Sequence, residues 1–236
     1  MNKLIIIPAY NEEESIIDTV KAVKAKSPDF DIVVINDCST DATRKICIAN
    51  NINFVDSPIN LGIGGAVQTG YRYALEFGYD IAVQVDADGQ HNPEFLKIMA
   101  EELENTDAAM VIGSRFIDNE GFQSTFARRL GIRFFTALIK MLTGKTITDP
   151  TSGLRMVGKK GIEIFAKDYP NDYPEPETAV ALLVRGMDII EIPVIMNERQ
   201  GGVSSINIVK SVYYMVKVTI AILVEASRGR MYNGID

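Results

Sequence analysis

Two carboxylates stand one residue apart in Ala82-Val83-Gln84-Val85-Asp86-Ala87-Asp88-Gly89-Gln90-His91, where a short apolar run gives way to glycine. Such a run predicts a buried strand that delivers Asp86 and Asp88 to a loop at its carboxyl end. Side chains at i and i+2 of an extended segment point the same way, so the pair can face one hard cation and a diphosphate carried by it. Oxygen ligands without a Cys/His cluster favour Mg²⁺ or Mn²⁺ over zinc. An acidic turn has the same local pattern, so the chemistry depends on what the rest of the chain brings to this loop.

The preceding chain alternates strands and helices. Leu4 to Ile7 is a buried strand ended by Pro8, and Asn11 with Glu14 has the spacing of a helix cap. The helix it opens has Ile16, Ile17, Val20 and Val23 as its core face. Ile32 to Ile35 runs into the turn Asn36 to Asp41, followed by an amphipathic segment from Ala42 to Asn50. A short strand over Asn53 to Asp56 precedes Asn60-Leu61-Gly62-Ile63-Gly64-Gly65, which opens a helix to about Phe77. Pro93 starts a helix to about Leu103, and the strand Ala108 to Ile112 leaves through Gly113-Ser114-Arg115. This succession predicts βαβ units and a ligand site at the carboxyl ends of the strands.

Composition narrows the class. The 236 residues are 47% hydrophobic and 23% charged, enough for a large α/β core. Cys38 and Cys47 fit no metal or disulfide spacing, and the apolar start is too short for a signal peptide, which predicts a cytoplasmic protein. The run Val218 to Val224, between Lys217 and Glu225, is far short of the ~20 residues of a spanning helix. Net charge is −7, unevenly spread: residues 1–113 hold 8 basic against 18 acidic side chains, whereas residues 114–160 hold 9 against 3. The acidic total argues against nucleic acid, while the basic island suits phosphorylated substrates or an anionic membrane surface.

Beyond Ser114 the alternation loosens. Phe126 to Leu142 is helical, with Arg129, Arg133, Thr136 and Lys140 on one face and Leu130, Phe134, Leu138 and Met141 elsewhere. A strand over Leu154 to Val157, helices over Lys159 to Phe165 and Glu177 to Arg185, and a strand over Ile189 to Ile195 follow. Asn197 to Ser204 is expected to be a mobile loop. The last helix, about Ile206 to Glu225, places Lys210, Tyr214, Lys217, Ala221 and Glu225 on one side and apolar residues nearly everywhere else. That face is expected to dock on a membrane or a partner, with packing on the protein's own core as the alternative.

Five segments, Pro8-Ala9-Tyr10-Asn11-Glu12, Asn36-Asp37-Cys38-Ser39-Thr40-Asp41, Asn60-Leu61-Gly62-Ile63-Gly64-Gly65-Ala66, Asp86 to His91 and Gly113-Ser114-Arg115, together resemble a family 2 glycosyltransferase. Two more, Asp149-Pro150-Thr151-Ser152-Gly153-Leu154-Arg155 and Arg199-Gln200-Gly201-Gly202-Val203-Ser204-Ser205, resemble its branch of dolichol-phosphate mannose synthases and bacterial polyprenyl-phosphate glycosyltransferases. The chain departs from that branch at Ser205, where a basic residue is usual, and in lacking the carboxyl-terminal spans of some relatives. The resemblance implies the α/β GT-A fold, a mostly parallel Rossmann-like sheet flanked by helices, with C-terminal amphipathic helices. It divides the chain into a GT-A domain over 1–205, with a nucleotide-binding half over 1–113 and an acceptor half over 114–205, and a helix and tail over 206–236 for membrane or oligomer contact. It also implies a nucleotide-sugar donor, UDP-linked, a Mg²⁺ or Mn²⁺ ion, and inversion at the anomeric carbon.

By the same resemblance, Pro8, Ala9, Tyr10, Glu12 and Asp37 surround the uracil and ribose, and Gly62, Gly64 and Gly65 either let the nucleotide approach the backbone or simply form a turn. Asp86, Ala87 and Asp88 lie under the diphosphate, with Asp88 the main metal ligand and Asp86 on the ribose or the metal's water. Gln90 is directed to the donor sugar or the acceptor phosphate, His91 shapes the loop at a helix start in preference to being a ligand, and Asp41 is either a donor-site residue or only a cap. A lipid phosphate is already anionic and needs positioning and cations rather than a base. Arg115, Arg128 and Arg199, followed by Arg129 and Arg155, are the candidates to grip it, since guanidinium matches phosphate geometry. The expected enzyme therefore moves a sugar to a polyprenyl phosphate at the inner face of the plasma membrane, as an oligomer or with a small membrane subunit. Two alternatives stand beside it: extension of a saccharide with Glu175 or Glu177 as base, and non-catalytic nucleotide-sugar binding.

Overall fold

The computed structural model describes residues 1–118, 126–196 and 208–232. Four parallel strands come first: β1 (Lys3–Ala9), β2 (Phe30–Asn36), β3 (Phe54–Asp56) and β4 (Ile81–Gln84). Between them run α1 (Ile16–Lys26), α2 (Thr43–Ala49) and α3 (Gly62–Glu76), with α4 (Phe95–Glu104) after β4. The second half adds β5 (Met110–Ser114), α5 (Phe126–Thr143), β6 (Arg155–Gly158), α6 (Lys159–Lys167), α7 (Pro174–Leu183), β7 (Ile189–Pro193) and α8 (Ile208–Tyr232). All strands join one sheet in the order β3-β2-β1-β4-β6-β5-β7, in which β6 alone runs antiparallel to its neighbours. The expected mostly parallel, helix-flanked sheet is what forms.

Each buried strand is apolar on both sides because both sheet faces are covered. Ile5, Ile7, Val34, Val83, Val111 and Met156 face α1, α2 and α4, through Ile16, Val23, Cys47, Leu96 and Met99. Their alternates Leu4, Ile6, Val33, Ile35, Ala82, Met110 and Val157 face α3, α5, α6, α7 and α8, through Val67, Tyr71, Phe135, Phe165, Val180 and Ile222. The chain turns from β1 to β2 on one side and reaches β4 on the other. At that switch point the carboxyl ends of β1 and β4 diverge and leave a crevice.

The first helix begins at Ile16 rather than after Asn11. Asn11 adopts a left-handed φ of 57°, and its side chain serves the neighbouring loop instead of a cap. The last helix continues past Glu225 to Tyr232, through Gly229, where a Cβ would lie 2.3 Å from Val184. Glycine there is a packing requirement of the α7–α8 contact and not a stop. The loop expected over 197–204 lies outside the described residues.

The two amphipathic helices are oriented by tertiary packing. The buried stripe of α5 is Ile132, Phe135, Leu138 and Ile139, which leaves Leu130, Phe134 and Met141 exposed beside Arg129, Arg133 and Lys140. In α8 the polar side turns inward: Tyr214 packs on Tyr173, Lys217 pairs with Asp172, and Glu225 is buried next to Val218, Ile222 and Ala226. Val212, Tyr213, Val216, Ile220, Leu223 and Val224 are consequently exposed.

Candidate active site

A cleft of about 420 Å³ opens at the switch point, within the range of small-molecule sites. Pro8, Ala9, Tyr10 and Glu12 line it from the end of β1, Asp37 from the end of β2, and Asn60, Gly62, Ile63 and Ala66 from the start of α3. Gln84, Asp86, Ala87 and Asp88 complete it from β4, and Glu175 from α7. The structure therefore unites the expected nucleotide residues with the carboxylate pair. Asn60, Ile63 and Ala66 enter from the segment Asn60–Ala66 that carries part of the family resemblance, although no role attached to them individually, and Gln84 enters from the strand before the carboxylates.

The loops after β1 and β2 satisfy one another's backbone. The Asn11 amide donates to Ser39 Oγ at 3.0 Å, the Thr40 amide to Asn11 Oδ1 at 2.8 Å, the Glu12 amide to Thr43 Oγ1 at 2.8 Å and the Ala42 amide to Glu13 Oε2 at 2.8 Å. Asp41 accepts from Thr43 and from the Glu13 amide, and so braces the entry to α2 against the loop after β1. Burial pushes its carboxyl up, but the bonds from Thr43 and Glu13 together hold it below the usual range. Asp37, 3% exposed, accepts from the amides of Leu61 at 2.7 Å and Gly62 at 2.9 Å. It ties β2 to the first turn of α3 across 24 residues of sequence, which fixes two walls of the cleft relative to each other.

Gly64 and Gly65 do not line the cleft. A Cβ on Gly64 would sit 2.0 Å from the Pro170 carbonyl oxygen, and its amide donates to the Asn171 oxygen at 3.1 Å. A Cβ on Gly65 would be 2.5 Å from Leu61 Cβ. Both glycines make room for neighbouring protein, Gly64 for the Pro170–Asn171 backbone and Gly65 for Leu61.

Asp86 and Asp88 lie just past β4, in a loop pinned from three sides. Thr19 Oγ1 of α1 donates to the Ala87 oxygen at 2.8 Å, Gln84 Nε2 to Asp86 Oδ1 at 2.9 Å, and the Gln90 amide to Asp88 Oδ1 at 3.0 Å. His91, 6% exposed, accepts the Asp86 amide on Nδ1 at 3.0 Å, which leaves Nε2 3.6 Å from Asp86 Oδ2. It shapes the loop, as expected. Gly153 closes against this pair, with room for no more than a Cβ at 3.4 Å from both Asp86 and His91. Gln90 contributes its backbone here and is not among the cleft residues. Among the described residues no group of three or more His, Cys, Asp or Glu side chains could hold an ion. The oxygen-only pair of Asp86 and Asp88 fits a hard cation that completes its shell with phosphate oxygens and water.

The arginines are placed differently from expectation. Arg115 makes a bidentate pair with the fully buried Asp149, Nε at 2.7 Å and Nη2 at 2.8 Å, and Nη2 also reaches Thr151 Oγ1 at 3.1 Å. Arg155, 2% exposed, donates to the Ser152 and Pro150 oxygens and to Thr178 Oγ1 at 2.7–2.9 Å. Burial pulls its pKa down, opposed first by the charge of Glu175. Both hold the 149–153 segment in place, and neither lines the cleft. Arg129 is exposed on α5. Arg128 lies in the first turn of that helix, where only the backbone is described, and Arg199 lies outside the described residues.

The two candidate bases separate. Glu175 enters the cleft, whereas Glu177 lies at the contact with α8, where burial and then the Glu225 charge push its carboxyl up, against the pull of Arg228. A carboxyl raised on folding adds stability while protonated and loses it as pH rises through the folded value. Glu177→Gln should therefore raise Tm at pH 7, by about 1–2 °C given solvent screening, with the gain vanishing near pH 4. Thermal melts of both proteins across that range check this, and a lower Tm for the variant at pH 7 would contradict it.

The family model described as Glycosyl transferase family 2 matches residues 4–165. The undecaprenyl-phosphate mannosyltransferase of Micrococcus luteus is 30% identical over 216 residues, covering 88% of each chain. The UDP-N-acetylglucosamine–dolichyl-phosphate N-acetylglucosaminyltransferase of Methanococcus voltae is 34% identical over 184 residues, 69% of this chain and 72% of that one. Among solved structures, glucosyl-3-phosphoglycerate synthase from Mycobacterium tuberculosis shares the fold, with a TM-score of 0.71 at 19% identity over 96% of this chain and 80% of that chain.

Proposed function

The chain belongs to glycosyl transferase family 2, and from that premise we propose that it moves a sugar from a UDP-linked donor to the phosphate of a polyprenyl carrier, with inversion at the anomeric carbon. The observation that carries this is the convergence of Pro8–Glu12, Asp37 and the Asp86/Asp88 pair on one cleft. The acceptor class follows the relatives named for undecaprenyl and dolichyl phosphates. Pro8, Ala9, Tyr10, Glu12 and Asp37 hold the nucleoside. Asp86 and Asp88 hold a Mg²⁺ or Mn²⁺ ion, which when bound offsets the charge growing on the departing diphosphate. The chain then has to place the lipid phosphate in line behind the anomeric carbon, because that nucleophile carries no proton to remove.

A second reading has one specific observation in its favour. Glu175 reaches the cleft, where it could take a proton from a sugar hydroxyl, and the acceptor would then be a saccharide. A panel of radiolabelled nucleotide-sugars offered with polyprenyl phosphate or with saccharides separates the two. Label extracted into organic solvent with the lipid supports the proposal, and label found only in water-soluble product replaces it. No transfer with any donor would leave a non-catalytic nucleotide-sugar binder.

The surface suits a lipid substrate. Among the described residues no helix is long and apolar enough to cross a membrane. We assign the outward basic and apolar side of α5 to an anionic bilayer surface at the cytoplasmic face, and the outward apolar face of α8 to a second copy or a small membrane subunit. Arg129, Arg133 and Lys140 are worth roughly 1 kcal/mol each near anionic lipid. Binding to phosphatidylglycerol vesicles should therefore be measurable at low salt and fall several-fold by 0.5 M NaCl. Equal binding to neutral vesicles in a co-sedimentation assay would remove the electrostatic part.

A further inference from the structure

Among the described residues, Glu175 is the only member of the chain beyond Ser114 that lines the cleft, and its placement is overdetermined. The four residues from Pro170 to Tyr173 are clamped before α7 begins. The Asn171 oxygen accepts from the Gly64 amide at 3.1 Å, where Gly64 leaves no room for a side chain. Asp172 pairs with Lys217 of α8, and the Tyr173 ring meets the Tyr214 ring edge-on at 4.7 Å. Tyr173 itself is held at φ 51°, ψ 55°, a left-handed conformation that a tyrosine adopts only where its surroundings impose it. From inside, Arg155 bonds Thr178 Oγ1 at 2.9 Å, and that hydroxyl donates within the first turn of α7, at 2.8 Å from the Pro174 oxygen and 3.1 Å from the Glu175 oxygen.

Such a carboxylate could be a metal ligand, a base or a hydrogen-bond acceptor. No three-acid metal group exists among the described residues, and a lipid phosphate has no proton to give. The nucleotide and the diphosphate are met by the first half of the chain, so the sugar is the part of the donor left for the second half to recognise. We propose that Glu175 is a specificity-determining residue for the donor, accepting hydrogen bonds from ring hydroxyls of a neutral hexosyl group and repelling sugars that carry a carboxylate of their own. This inference rests on the transferase reading above.

The test is calorimetric binding in Mn²⁺ of UDP, UDP-glucose, UDP-glucuronic acid, GDP, GDP-mannose and GDP-mannuronic acid to wild type, Glu175→Gln and Glu175→Ala. Hydrogen bonds to a charged acceptor correspond to roughly 10–100-fold in affinity. Wild type should bind a neutral nucleotide-sugar at least about tenfold more tightly than its uronic counterpart. In Glu175→Ala that ratio should fall toward one while the bare nucleotide keeps its affinity, and Glu175→Gln should relieve the repulsion while keeping part of the neutral-sugar affinity. With polyprenyl phosphate as acceptor, the loss in kcat/KM should be carried by the KM for donor. An unchanged ratio in the alanine variant overturns the proposal, as does a fall confined to kcat with loss of the acidic limb of the pH profile, the signature of a base. If wild type binds none of the nucleotides, the transferase reading itself fails, a result distinct from nucleotide binding without sugar discrimination.

Discussion

Asp88→Asn is expected to keep the fold and lose turnover by about 10²–10³-fold, the scale of one misplaced electrostatic contact to a leaving group. Asp88 sits in a partly exposed loop after β4, outside both hydrophobic clusters. Substitution there should shift stability by no more than ~0.5 kcal/mol. Asparagine keeps an oxygen to accept the Gln90 amide, so the turn survives, but the neutral amide no longer balances a divalent charge. EDTA should bring wild type to the same level, with Mn²⁺ or Mg²⁺ restoring it, and the variant should need far more metal. Circular dichroism melts and initial rates over a metal titration check both parts. Wild-type rates in EDTA would defeat the metal assignment.

Arg115→Ala should be among the most destabilising single changes in the chain. Its guanidinium is the bidentate partner of Asp149, which is fully buried and is also held through its amide by Glu191 Oε1 at 2.8 Å. Removing the arginine leaves a buried carboxylate without its counter-charge, a loss of about 3–5 kcal/mol. For a chain of this size that is a fall in Tm of roughly 6–20 °C. The double variant Arg115→Met/Asp149→Leu should recover part of the loss, since no charge is then stranded. A Tm within about 2 °C of wild type for Arg115→Ala would show that the pair is not structural and return Arg115 to the role of a phosphate ligand.

Much of this site was legible in one dimension. Apolar runs ending in Pro8, Asn36 and Asp86 mark strands by composition alone, and βαβ connectivity forces their carboxyl ends to one edge of the sheet. Hence Pro8, Ala9, Tyr10, Glu12, Asp37, Asp86, Ala87 and Asp88 meet in the cleft as expected. Element boundaries were less secure: Asn11 and Gly229 carry the residue types of a cap and a stop, yet one serves a neighbouring loop and the other a helix contact. Local chemistry states what a residue can do, and the partner that uses it comes from elsewhere in the chain.

The sequence by itself determined the fold class, the carboxylate pair and the family resemblance, because those depend on strand periodicity and on short segments whose residues act together. Only the tertiary structure decided which side chains remain available for chemistry. Arg115 is tied to Asp149, and Arg155 to Pro150, Ser152 and Thr178. Glu175 and Glu177, two residues apart on one helix, are carried to the cleft and to the α8 contact, respectively. The polar stripe of α8 is turned inward by Asp172, Tyr173 and Arg185, so its apolar face looks out. Hydrophobic periodicity records that a helix has two faces. Which of them is buried depends on rings and charges supplied by segments tens of residues away, such as Tyr173 against Tyr214 and Arg185 against Glu225.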